Sequence, residues 1–268
     1  EAPFEGLLHR HQNVLVLEFE PLLKDFRPRA LNGRTSDLGK MLQRLQSAKT
    51  LQALYEISVN EIQAMTGYDR VLIYRFEEEG HGQVIAEASD PSMEVFNGLF
   101  FPASDIPEQA RELYRTNWLR IIPNADYQPV PLLPKLRPDT NTPLDLSFAT
   151  LRSVSPVHVE YLRNMHVYAS MSVSIVINGR LWGLIACHHY APKTLTMSER
   201  IAAEMFGEFF SLHLLALKQK RKLDIANEAR RSLDRLLQAA SHHVDLDEVT
   251  HLARLAIELR EIARLQEA

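Results

Sequence analysis

The chain has 268 residues, enough for one large domain with flanking pieces or for two small domains. Its 46% hydrophobic and 24% charged residues describe a globular chain with material for a core, and a formal net charge of -4 gives no general attraction to nucleic acid or anionic membrane. A single cysteine, Cys187, excludes an internal disulfide and a cysteine-built zinc site; no apolar run is long enough to cross a bilayer, so a cytoplasmic protein is expected.

The first element is the run Val14–Pro21, a short apolar stretch stopped by proline that predicts a terminal strand. Too little chain precedes it to make a domain, so residues 1–35 are expected to be the end of an upstream domain plus a linker carrying Pro28 and Gly33. From Leu38, the residues Met41, Leu42, Leu45, Leu51, Leu54, Ile57 and Ile62 recur at spacings of three and four up to Gly67, which predicts one helix over 38–66. Val71–Phe76 and Gln83–Ala88, separated by a polar turn, predict an antiparallel hairpin.

Ser104 and Asp105 precede a helical stretch over Glu108–Tyr114, and either can cap it. Residues 121–147 carry six prolines and no periodicity, which predicts a long loop, either functional or disordered. A helix follows over Val154–Met165, then two strands, Tyr168–Ile177 and Leu181–His188, across the hairpin signal Asn178-Gly179. After Pro192 the pattern becomes helical, with Ile201, Met205, Phe209, Leu212 and Leu215 on one stripe and the polar run Lys218–Lys222 beyond it. Near the end, Leu252, Leu255, Leu259 and Ile262 form a coiled-coil-like seam.

Singly, the candidate site residues are weak. Asp105 reads as a helix cap, His158 as a core histidine, and Arg120 and Arg152 as surface charges. The pair His188-His189 is a poor metal site because neighbouring strand residues point to opposite faces. Three blocks in fixed order are more specific. They are Phe101-Pro102-Ala103-Ser104-Asp105-Ile106-Pro107, then Ser155 through Met165 with His158 and Tyr161, then Leu181 through His189. Together they resemble the GAF domain of bacteriophytochromes, over roughly residues 38–217, and residues 1–21 resemble the end of the PAS domain that precedes it in that family.

That resemblance implies an α+β GAF domain over residues 36–217, an antiparallel sheet with helices on one face and a pocket on the other. It also implies long signalling helices over 218–268, without the core of the PHY domain that follows in the family. The implied cofactor is a linear tetrapyrrole of the biliverdin type. Asp105 matches the residue beside the pyrrole nitrogens, with Ile106 and Pro107 next to it. His158 matches the histidine against the central rings, and His188 the one facing the carbonyl of ring D. Arg120 and Arg152 match the arginines that hold the propionates. Tyr74, Phe101 and Tyr114 match the cage around ring D, and Tyr161, Ser170 and Ser172 line the same pocket. The physical chemistry agrees: a flat conjugated ligand fits an aromatic slot, and guanidinium forks suit carboxylates.

Departures from the family pattern place covalent attachment in doubt. Val157 stands where some relatives carry the attaching cysteine, and the attachment cysteine that bacteriophytochromes use lies upstream of where this chain starts. His166 and Tyr168 stand at positions often occupied by glycine. The resemblance further implies a parallel homodimer through the helices and, downstream, an output domain of the histidine-kinase type or a response regulator. This chain has no Gly-rich ATP-binding pattern of its own. The alternative is a GAF module that binds another small molecule, such as a cyclic nucleotide.

Overall fold

A computed structural model describes residues 3–22 and 31–241, together with positions 250, 251, 253–255 and 257. The chain falls into two units, Glu1–Ser211 and Leu212–Ala268. The first begins with a two-stranded hairpin, β1 (Phe4–His11) and β2 (Val14–Pro21). β1 is absent from the sequence-based expectation. Gln12 and Asn13 both adopt positive φ, 45° and 61°, which lets a two-residue turn fold β1 back on β2.

Two helices stand where one is expected, α1 (Leu31–Ser47) and α2 (Leu51–Thr66). The apolar spacing runs across both because Leu45, Ala48, Leu54 and Ile62 are all buried. The break comes at Thr50, whose extended backbone (φ -127°) starts a new helix and whose hydroxyl accepts from the Ala53 N–H at 3.2 Å. Gly67 ends α2 at φ 65°. The helical backbone from Leu31 also shortens the expected linker around Pro28 and Gly33; residues 23–30 lie outside the described residues.

The remaining elements are β3 (Arg70–Phe76), β4 (Gly82–Ser89), β5 (Phe100–Phe101), α3 (Glu108–Thr116), β6 (Leu119–Ile122), α4 (Pro156–Asn164), β7 (Ala169–Ile177), β8 (Arg180–His189) and α5 (Met197–Ser241). The strands make one six-stranded antiparallel sheet in the order β5-β4-β3-β8-β7-β6. As expected, β7 and β8 join at Asn178 and Gly179, both at positive φ. One face of the sheet is a dense aliphatic core. Val71, Ile73, Met171, Val173, Ile175, Ile185 and Cys187 are fully buried there. α2 lies against β3 and β4, and Gly207 of α5 lies against Val173, where an added methyl group would overlap the valine. The alternate residues of the same strands point the other way, toward the cavity described below.

In the second unit α5 continues to Ser241, with Leu212, Leu223, Leu233 and Leu237 exposed. Of the expected seam, Leu255 is exposed, whereas Leu252, Leu259 and Ile262 lie outside the described residues. Among the described residues, no helix is long and apolar enough to cross a membrane.

Candidate chromophore pocket

Period-two alternation places Leu72 and Tyr74 of β3, Ser170 and Ser172 of β7, and Leu184, Ala186 and His188 of β8 on the same face of the sheet. β6 extends this floor, since Arg120 pairs with Ser172 and Ile122 with Ser170. Over the floor stand α4, which brings His158, Tyr161 and Leu162, and a short 3-10 turn, Ala103–Asp105, which brings Asp105 and Ile106. Phe96, Phe101 and Tyr114 close the aromatic end. Between these parts lies a cavity of about 770 Å³, counting its open mouth.

Asp105, His158 and His188, which come from three distant segments, therefore meet in one cavity with Arg120, Tyr74, Phe101, Ile106, Tyr114, Tyr161, Ser170 and Ser172. Two expected residues do not line it. Arg152 lines a smaller adjoining cavity that shares Arg120, because its guanidinium turns back to donate to the Ala149 carbonyl at 2.6 Å. Pro107 sits at the N-cap of α3, where its carbonyl accepts from Ala110 and Arg111, and its side chain is exposed.

The polar groups of the cavity are held from behind. The Tyr161 hydroxyl donates to Asp105 Oδ2 at 3.5 Å, and the His158 ring stacks on Tyr161 at 6.2 Å between centroids. Burial and then Arg120 lower the His158 pKa to about 4; burial, then Arg70 and His158, lower that of His188 to about 4. Both rings are thus neutral near pH 7. Burial, reinforced by Asp105, pushes the Tyr74 and Tyr161 phenols up to about 12. Burial, followed by repulsion from Arg120, lowers the Arg152 pKa, so the two guanidinium groups lie within each other's field. Among the described residues, no carboxylate pairs with Arg120. The Nδ1 atom of His188 is buried with no hydrogen-bond partner.

Three groups that sequence reasoning passed over support the walls. Arg70, 2% exposed, pairs with buried Glu87 at 2.9 Å and lies 3.8 Å from the centroid of the Phe96 ring. Glu87 accepts from the Phe96 and Asn97 N–H groups at 2.6 and 2.8 Å, which pins that loop over the cavity. Arg111 donates to the carbonyls of Ile106 (2.7 Å), Ala103 (3.3 Å) and Gly80, tying the turn that carries Asp105 to α3. The N-terminal hairpin braces the loop before Arg152: Glu18 accepts from the Thr150 and Leu151 N–H groups, and His11 meets Asp145 at 3.0 Å.

The GAF domain family model matches residues 50–214. The chromophore-binding domain of the bacteriophytochrome RpBphP3 from R. palustris superposes with a TM-score of 0.77 at 40% identity, covering 81% of this chain and 71% of that one. The chain belongs to the GAF family and, within it, to the bacteriophytochromes. It is 43% identical over 90% of its length to cyanobacterial phytochrome B of a Nostoc strain, of which it covers 32%. It is 39% identical over 93% of its length to the bacteriophytochrome of Pseudomonas aeruginosa, of which it covers 34%. It thus spans about a third of the length of the curated relatives it matches.

Three residues singled out in the sequence lie near the cavity without lining it. His166 takes a left-handed backbone, φ 57°, in the turn that leaves α4, a conformation that favours glycine. Tyr168, the other bulky residue there, has an ordinary φ and donates its N–H to the His189 carbonyl. Cys187, in turn, is fully buried on the face of the sheet away from the cavity, and burial raises its thiol pKa.

Proposed function

We propose that this bacteriophytochrome chain holds a linear tetrapyrrole of the biliverdin type in the cavity and serves as the light-sensing part of a red/far-red photoreceptor. The observation that carries this reading is the convergence, around one aromatic slot, of Arg120, a guanidinium without a carboxylate partner among the described residues, and His188, a buried imidazole whose Nδ1 has no hydrogen bond. A buried polar atom without a partner is costly, and a ligand carbonyl would satisfy this one. A carboxylate on the same ligand would satisfy Arg120, with Arg152 the nearby second cation.

In this reading the bound tetrapyrrole supplies light absorption and a double bond that light can isomerise. The protein supplies the rest. Arg120 and Arg152 anchor anionic substituents at one side. Leu72, Leu184 and Ala186 form an apolar floor, and Tyr74, Phe101 and Tyr114 enclose the far end. Asp105 offers an acceptor at the cavity wall, oriented by Tyr161. Neutral His158 and His188 can each donate from one ring nitrogen and accept at the other. Cys187 faces the opposite core and offers no attachment point in the pocket. A parallel homodimer through the C-terminal helices, whose exposed Leu223, Leu233 and Leu237 would be covered in it, would pass a change at the pocket to an output domain.

Titration of the purified chain with biliverdin tests the reading. The expected result is a red absorption band that saturates at one site per chain and changes reversibly under red light. Retention of the free-pigment spectrum, or displacement of the pigment by a cyclic nucleotide, would contradict it.

A further inference from the structure

Gly82 opens β4 and is paired on both sides, with Phe76 of β3 and with Phe101 of β5. It is not among the glycines at positive φ, so backbone freedom does not explain it. Space does. A methyl group at this position would overlap Cζ, Cε1 and Oη of Tyr74. The outer half of the Tyr74 ring thus lies directly over the Gly82 backbone. A register shift between β3 and β4 falls at Ile73/Tyr74, where the strand delivers this ring. Phe76 meets the ring edge-on at 5.3 Å between centroids, and Phe101 lies tilted at 6.1 Å. Leu72, Val84, Tyr114 and Leu184 share the same buried cluster, and the Tyr74 side chain lines the cavity.

We infer that Gly82 is a positioning residue: its missing side chain is the seat of Tyr74, and so sets how far the phenol protrudes into the aromatic end of the cavity. An alanine at 82 meets the far end of a flexible side chain rather than backbone, so the ring yields and the sheet pairing stays. Because Tyr74 lines the aromatic end of the cavity, a displaced ring changes the space there for the terminal ring of the ligand. The consequence for the ligand rests on the bilin reading above; the seat itself does not.

The test uses this chain labelled with [13C]tyrosine, first without pigment. The Tyr74 ring signal is assigned by its loss in Tyr74→Leu. In Gly82→Ala that signal shifts, while those of Tyr127 and Tyr190 stay in place. With biliverdin added, Gly82→Ala shifts the red band and lowers the photoconversion yield, but it changes neither further in a Tyr74→Leu background. A folded Gly82→Ala protein with an unmoved Tyr74 signal would overturn the inference, as would an equal effect of Gly82→Ala in both backgrounds. If Gly82→Ala alone does not fold, Gly82→Ala/Tyr74→Leu must melt where Tyr74→Leu does, and failure to do so also overturns it. A wild-type chain that gives no red band refutes the bilin reading and leaves the tyrosine measurement to decide the role of Gly82.

Discussion

The two faces of the central sheet are made from the same strands and differ in nearly every physical respect. On the face toward α2 and α5, Val71, Ile73, Met171, Val173, Ile175 and Ile185 are fully buried, and the space is filled. On the other face the alternate positions hold Tyr74, Ser170, Ser172, Leu184, Ala186 and His188, and the space is a cavity. A strand whose only duty is packing carries branched aliphatic side chains on its inner face. The hydroxyls, imidazole and small side chains of the second face forgo dispersion contacts and place polar groups where water or a ligand must meet them. Filled packing is concentrated on one side of a single backbone layer and the cavity lies on the other.

The largest effect expected from breaking this contrast comes from the buried ion pair Arg70–Glu87. Arg70→Met leaves Glu87 buried and uncompensated and should lower stability by about 3–5 kcal/mol, read from chemical denaturation. It should also loosen the Phe96 loop, which loses the guanidinium against the Phe96 ring and its bond to the Glu94 carbonyl, seen as faster amide exchange around Phe96. Next, Ile185→Ala opens a hole in filled space, whereas Leu184→Ala enlarges a cavity already present. Both fall within about 2–5 kcal/mol, with Ile185→Ala the more costly, and the same denaturation series ranks them. An equal cost would mean that the cavity face is packed as tightly as the core.

A pH effect of intermediate size belongs to the cavity face. The folded-state pKa values of His158 and His188 lie near 4, below the ordinary 6.5, because burial and then the cations Arg120 and Arg70 oppose protonation. The unfolded chain takes up protons there that the folded chain refuses. The contribution is complete above about pH 6.5 and is lost as pH falls toward about 4. His188→Gln should flatten that decline in urea titrations run across the window. Asp145, whose pKa is lowered to about 2 by Ser147 and His11, acts only below it. The smallest stability effect is expected at Arg120→Ala, within about 0.5 kcal/mol because no carboxylate loses its partner. The same substitution should weaken biliverdin uptake by about tenfold or more in an absorbance titration. A large loss of stability with unchanged uptake would assign Arg120 to the scaffold.

Much of this contrast is legible in the sequence, for reasons that particular residues show. The strands announce themselves by branched aliphatic runs and by Asn178-Gly179, and alternation from Tyr74 or His188 leads to Leu72, Leu184 and Ala186 on the same face. The break between α1 and α2 is hidden because Leu45, Ala48 and Leu54 serve one core at helical spacing; the signal that marks it is Thr50 just before the apolar Leu51. β1 is hidden because Gly6, His9 and His11 dilute its pattern and it exists only as the partner of β2. Arg70, Glu87, Phe96 and Arg111 act through contacts between segments that no local period connects. Arg152 falls outside the cavity because its direction is set by the Ala149 carbonyl, which spacing does not reveal.

In the proposed function the ligand enters the cavity face between α4 and the sheet. Histidine-labelled protein titrated with biliverdin tests this directly by proton–carbon NMR. The account predicts that the ring signals of His158 and His188 shift together as pigment is added, while those of His81 and His166, outside the cavity, stay in place. Pigment that binds while the His158 and His188 signals remain unmoved would contradict it.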